Sequence, residues 1–161
     1  MTELPKRKPT RLKNYDYSTP GAYFITICTH NRKNILSNIT VGDDALIVPQ
    51  NSLSNYGLIC DKYIQNINVK YENANVDKYV IMPNHIHLII FILGTMKASS
   101  PTINIKTIIR SFKTMVTREI GCPIFQRSFH DHIIRDENDY YRISEYIETN
   151  VLKWHDDCFY N

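Results

Sequence analysis

The longest apolar stretch of the chain, NVDKYVIMPNHIHLIIFIL (75–93), constrains the fold more than any other segment. It is rich in Val, Ile and Phe, which suit a pleated surface, yet Pro83 has no amide to give to a β-ladder. The stretch therefore reads as two strand segments with Pro83-Asn84 between them or at a bulge. Its second half is apolar at almost every position, as expected of a middle strand covered on both faces. No apolar run approaches the roughly 18 residues needed to cross a bilayer, so no membrane partner is expected.

Two histidines interrupt this strand. Side chains two apart share a face, so His85 and His87 point one way and Ile86 the other. Two readings are open: a pair of hydrogen-bonded histidines at a strand end, or neighbouring ligands to one divalent cation. A second His-x-His, His130 and His132 in RSFHDHIIR, qualifies equally on bare spacing. Its neighbours Arg127, Asp131 and Arg135 suit phosphate or base contacts, and a solvated surface is the other reading. Imidazoles alone favour zinc, copper or nickel, whereas added amide and phosphate oxygens move the preference toward Mn²⁺ or Mg²⁺.

The remaining segments supply the frame. AYFITICTHNR (22–32) reads as a strand, and ILSNITVGDDALIVPQ (35–50) as a hairpin turning at Gly42-Asp43-Asp44. Leu53, Tyr56, Ile59, Cys60, Tyr63, Ile64 and Ile67 recur at helical spacing, with Ser52 as the expected cap. INIKTIIRSFKTMVTREIG (103–121) is a second helix ending at Gly121, with Lys106, Arg110 and Lys113 on a stripe apart from the apolar one. FQRSFHDHIIRDE (125–137) resembles a strand, and DYYRISEYIETNVLKWH (139–155) a third helix with Asp139 as a possible cap and Tyr140, Ile143, Ile147, Val151 and Trp154 as its apolar stripe. The order β(ββ)αββαβα predicts an α+β, ferredoxin-like antiparallel sheet with helices packed mainly on one face.

The 161 residues suit a single domain, 1–161, preceded by a basic arm over about 1–18 that carries Lys6, Arg7, Lys8, Arg11 and Lys13. Four scattered cysteines with no Cys-x-x-Cys pair argue against a zinc ribbon or a disulfide framework and read as reduced thiols. The N-terminus lacks the apolar segment of a secretory signal, so a cytoplasmic location is expected. A net charge of +3 decides nothing about nucleic acid by itself, so the placement of the charges carries that argument.

MPNHIHLII resembles the His-hydrophobe-His signature of the single-tyrosine HUH transposases. The rest of the chain resembles their REP-associated tyrosine transposase branch: RLKNYDYSTPGAYFITICTHNR its first strand, IKTIIRSFKTMVT its basic middle helix, and FQRSFHDHIIRDENDYYRISEYIETN its last strand and tyrosine helix. The family's Tyr-x-x-x-Asn arrangement falls on Tyr146 and Asn150, which an i, i+4 spacing stacks on one helix face. The family commonly continues Asn-Pro; here Val151 follows.

The resemblance implies metal-dependent cleavage and rejoining of single-stranded or hairpin DNA at repetitive palindromes through a 5′-phosphotyrosine. Tyr146 would be the nucleophile, His85, His87 and Asn150 the metal ligands, and Mg²⁺ or Mn²⁺ the metal. Arg11, Lys13, Lys106, Arg110, Lys113, Arg127, His132 and Arg135 are the candidate DNA contacts, with Phe129 and Tyr141 as surfaces for stacking on unpaired bases. The rival expectations are a catalytically silent hairpin-binding protein and a metal-dependent phosphodiesterase that uses water. A monomer and a homodimer are both compatible with the sequence.

Overall fold

The computed structural model describes residues 12–40, 48–94 and 103–160. The 75–93 stretch forms two antiparallel strands, β4 (Ala74–Ile81) and β5 (His85–Ile92). Pro83 sits outside the ladder in the connection between them, where its missing amide costs nothing. Instead its carbonyl accepts the amides of Ile35 and Leu36 at 2.9 and 3.0 Å. β1 (Gly21–Cys28) pairs with the other side of β5, and β6 (His130–Ile134) closes the sheet in the order β4-β5-β1-β6, antiparallel throughout. β5 is thus an inner strand, which accounts for its near-continuous apolar sequence.

A separate two-stranded hairpin, β2 (Ser37–Thr40) with β3 (Gln50–Leu53), forms where the β-branched residues flank the Gly-Asp-Asp signal; the turn itself lies outside the described residues. The helix after it, α1 (Asn55–Lys70), is capped by Ser54 rather than Ser52. Ser52 is engaged in β3 opposite Asn38, and Ser54 Oγ accepts the Gly57 amide at 3.1 Å. A Cβ at Gly57 would lie 2.1 Å from the Leu36 carbonyl oxygen, so this helix approaches the hairpin at a distance only glycine permits.

α2 (Ile105–Ile120) starts at an Asn104 cap and ends at Gly121 in the left-handed region, φ 89°. Together α1 and α2 cover one sheet face, burying Ile64, Ile67, Ile108 and Phe112 against Ile25, Ile27, Leu88 and Ile90. α3 (Glu137–Thr149) covers the opposite face, where Ile143 and Ile147 meet Ile89. The α+β, ferredoxin-like expectation therefore matches, with two helices on one face and one on the other.

The third helix differs from expectation at both ends. Asp136, not Asp139, is its cap, accepting the Asp139 amide at 2.8 Å, which leaves the Asp139 carboxylate to pair with His132 and Arg142. The helix stops at Thr149, so Val151 and Trp154 are not part of its stripe. A turn and a short 3-10 segment (Trp154–Asp156) follow, bury Trp154 and turn residues 157–160 back toward the sheet. No described helix is long and apolar enough to cross a membrane.

Candidate metal and tyrosine site

The site lies on the α3 face of the sheet. His85 and His87 leave β5 on this side, their rings 4.4 Å apart, and both are almost fully buried. Antiparallel register puts His87 directly opposite Thr26, and Thr26 opposite His130, so these three side chains form one row across three strands. Thr26 Oγ1 lies 2.8 Å from His87 Nδ1, and Asn84 Oδ1 lies 2.8 Å from His85 Nδ1. Each imidazole is thus held through Nδ1, which turns Nε2 inward.

α3 brings Tyr146 and Asn150 to the same place. The Tyr146 hydroxyl is 3.3 Å from His87 Nε2 and donates to Asp157 Oδ2 at 3.1 Å. Asn150 Nδ2 donates to the same carboxylate oxygen at 2.9 Å. Among the described residues, His85 Nε2 and Asn150 Oδ1 are buried without a hydrogen-bond partner. Leaving such atoms unpaired is costly, and orphaned acceptors of this kind are what a cation would satisfy. Ligand atoms of His85, His87 and Asp157 all lie within 4.8 Å of one another. Two imidazoles, a carboxylate and an amide oxygen therefore fit a divalent cation, with the oxygens favouring a harder one.

Burial pushes His85 down to about 4, with the Asp157 carboxylate and the Asn150 amide acting the other way. Burial, together with the neighbouring His85, also holds His87 well below the ordinary range. Both rings are neutral at physiological pH, the form that donates a lone pair. Tyr146 is raised, first by burial and then by the Asp157 charge. With no cation present, the site thus disfavours the phenolate.

Asp157 was not among the expected site residues. It lies seven positions beyond Asn150, in a segment without helical or strand periodicity, and only the turn after α3 carries it to the histidines. Asn84 and Thr26 were missed as well. Asn84 is adjacent to the histidine motif, but Thr26 comes from a different strand. Phe159 also packs on the site, its ring 4.5 Å from that of His85, with Arg32 stacked 5.1 Å from its centre. Residues 157–160 thereby cover the imidazoles.

The expected DNA contacts divide. His132 and Arg135 are exposed at the β6 edge, and His132 is paired to Asp139 at 2.6 Å. On the far side of the sheet, Lys106, Arg110, Lys113 and Arg127 line one groove of about 680 Å³ between α2 and the 122–129 segment. Lys113 Nζ is engaged there, donating to the Gln126 and Ser128 carbonyls at 2.9 Å each. Lys13 is exposed, and Arg11 lies outside the described residues. Phe129 is 6% exposed and belongs to the core, which corrects the expectation that it stacks on bases; Tyr141, 64% exposed, is free of that objection.

The fold is similar to that of a REP-associated tyrosine transposase. A solved structure of such a transposase bound to a REP hairpin superposes over 96% of this chain and 74% of its own, with a TM-score of 0.63 at 20% identity. An uncharacterized protein of Haemophilus influenzae is 36% identical over 177 aligned residues, covering 96% of this chain and 93% of that one, and the chain belongs to the same family as that protein. No family model matches the chain.

Proposed function

We propose that this protein cleaves and rejoins single-stranded DNA beside hairpin-forming repeats, with Tyr146 as nucleophile and Mg²⁺ or Mn²⁺ as cofactor. The observation that carries the reading is the Tyr146 hydroxyl 3.3 Å from His87 Nε2, on a face where His85 Nε2 and Asn150 Oδ1 are buried and unpartnered. That the transposase of the same fold was solved with a hairpin supports DNA as the partner.

His85, His87 and Asn150 would hold the cation, with the Asp157 carboxylate beside them. When bound, the cation would act as a Lewis acid on the scissile phosphate and offset its negative charge. Tyr146 Oη attacks phosphorus, the bond to the 3′-oxygen breaks, and the products are a 5′-phosphotyrosine and a free 3′-hydroxyl. The reverse attack by a 3′-hydroxyl restores the phenol and joins strands without a nucleotide cofactor. Thr26 and Asn84 keep the imidazoles in register, and α3 sets the tyrosine beside them. Lys106, Arg110, Lys113 and Arg127 would contact backbone phosphates, with His132, Arg135, Lys13 and Arg11 as further contacts.

The test is covalent capture. Labelled hairpin oligonucleotides with single-stranded flanks, incubated with the protein in Mn²⁺ or Mg²⁺, should yield a protein–DNA adduct stable to denaturation. Tyr146→Phe should abolish the adduct while leaving DNA affinity within about twofold. An adduct that survives Tyr146→Phe overturns the nucleophile. Binding without any adduct identifies a silent hairpin binder, and release of a 5′-phosphate without a protein-linked species identifies a hydrolase.

A further inference from the structure

We infer that Asn84 is a positioning residue with two linked tasks: it fixes the tautomer of His85 and latches residues 157–160 over the site. The inference rests on His85 facing a cation, as proposed above.

Phe159 O can only accept, and it receives Asn84 Nδ2 at 2.7 Å. This contact settles which way the Asn84 amide is turned, because the nitrogen must face Phe159. Asn84 Oδ1 is then the atom 2.8 Å from His85 Nδ1. An amide oxygen has no hydrogen, so His85 Nδ1 carries the proton and Nε2 keeps its lone pair. That lone pair belongs to the buried atom without a partner. Asn84 is 1% exposed and its bond to His85 is buried, so water does not compete for that bond.

The backbone around Asn84 is itself held. Its carbonyl accepts the Thr29 amide at 2.9 Å and the Thr29 hydroxyl at 3.0 Å, anchoring the β4–β5 connection to the end of β1. One end of the latch is therefore rigid. The other end belongs to a segment outside helix and sheet, held by the Phe159 ring against His85 and His87, the Tyr160 ring against Trp154, Arg32 over the Phe159 ring and bonded to the Cys158 carbonyl at 3.4 Å, and Asp157 bonded to Tyr146 and Asn150. Losing the Asn84–Phe159 bond loosens the cover and removes what orients the amide. The amide can then flip, presenting Nδ2 to His85 and favouring the tautomer that blocks Nε2.

Two variants separate the tasks. In Asn84→Asp the carboxylate still accepts from His85 Nδ1–H but has no donor for Phe159 O. In Asn84→Ala both bonds are gone. Long-range ¹H–¹⁵N correlation spectra of the metal-free full-length protein should show wild-type His85 protonated at Nδ1, Asn84→Asp unchanged, and Asn84→Ala shifted toward the Nε2–H form. Mn²⁺ affinity, followed by electron paramagnetic resonance of the free ion, should fall about 10- to 100-fold in Asn84→Ala, the usual cost of losing an outer-shell partner of a metal-bound histidine. Hydrogen exchange at the Phe159 and Tyr160 amides should accelerate at least fivefold in both variants.

Retention of the Nδ1–H tautomer and of wild-type Mn²⁺ affinity in a folded Asn84→Ala protein overturns the first task. Unchanged exchange at Phe159 and Tyr160 in Asn84→Asp overturns the second, and that result stands even if Asn84→Ala does not fold. Neither the spectra nor the exchange rates involve Tyr146 or DNA, so their failure is distinguishable from failure of covalent capture.

Discussion

His85 shows how a buried imidazole ties site chemistry to stability. Burial lowers its folded-state value from 6.5 to about 4, so the unfolded chain takes up the proton first as the solution is acidified. Stability is therefore highest above about pH 6.5 and falls as pH drops toward 4, by at most about 3 kcal/mol from this group. Urea melts of the metal-free protein at pH 7, 5.5 and 4.5 should show this loss, and His85→Asn should reduce it while the part due to buried His87 remains. The cysteines provide a second residue-scale check. Burial pushes the Cys60 thiol up to about 12 and raises Cys28, whereas Cys122 and Cys158 are exposed, Cys158 with its thiol also raised by partial burial and the Asp157 charge. Native protein at pH 8 should therefore take up two equivalents of a thiol reagent, the one at Cys158 more slowly, and the other two only after unfolding, as counted by mass spectrometry.

At the scale of elements, the site depends on how α3 and the β4–β5 connection are anchored, and that connection is anchored to the β2–β3 hairpin. Pro83 O binds the amides of Ile35 and Leu36, and Leu36 O in turn lies against Gly57 of α1. Gly57→Ala would force a Cβ to within 2.1 Å of that carbonyl, so the helix or the hairpin must move. A loss of about 2–3 kcal/mol is expected, read as a melting temperature lower by roughly 5–10 °C. A variant that melts like the wild type would show that α1 does not press on the hairpin.

At the scale of the whole molecule, the sheet separates two chemistries. The imidazoles and Tyr146 occupy the α3 face, while the basic groove lies beside α2 on the other. Among the described residues, Arg110 and Arg127 have no carboxylate partner, leaving both free to meet phosphate. Arg110→Glu combined with Arg127→Glu should weaken hairpin binding at 100 mM salt by at least tenfold. It should also lower the slope of log affinity against log salt by about one per lost contact, as followed by fluorescence anisotropy. Unchanged affinity and slope would remove the groove from the binding surface.

Much of this was legible in the chain because it depends on local periodicity. The alternation around His85 and His87 put both on one strand face, the i, i+4 spacing put Tyr146 and Asn150 on one helix face, and the element order pointed to the sheet. The cap of α3 was misplaced by three residues because Asp136 and Asp139 are both good caps, and only the His132 and Arg142 contacts decide between them. Asp157, Asn84 and Thr26 joined the site through a turn, a hairpin connection and cross-strand register. None of these leaves a period in the sequence, since each is a contact between segments whose separation along the chain carries no information about their distance in space. The sequence alone determined which side chains share a face; the tertiary structure decided which faces meet, because burial and hydrogen-bond satisfaction are settled only when the whole sheet and its covering segments close.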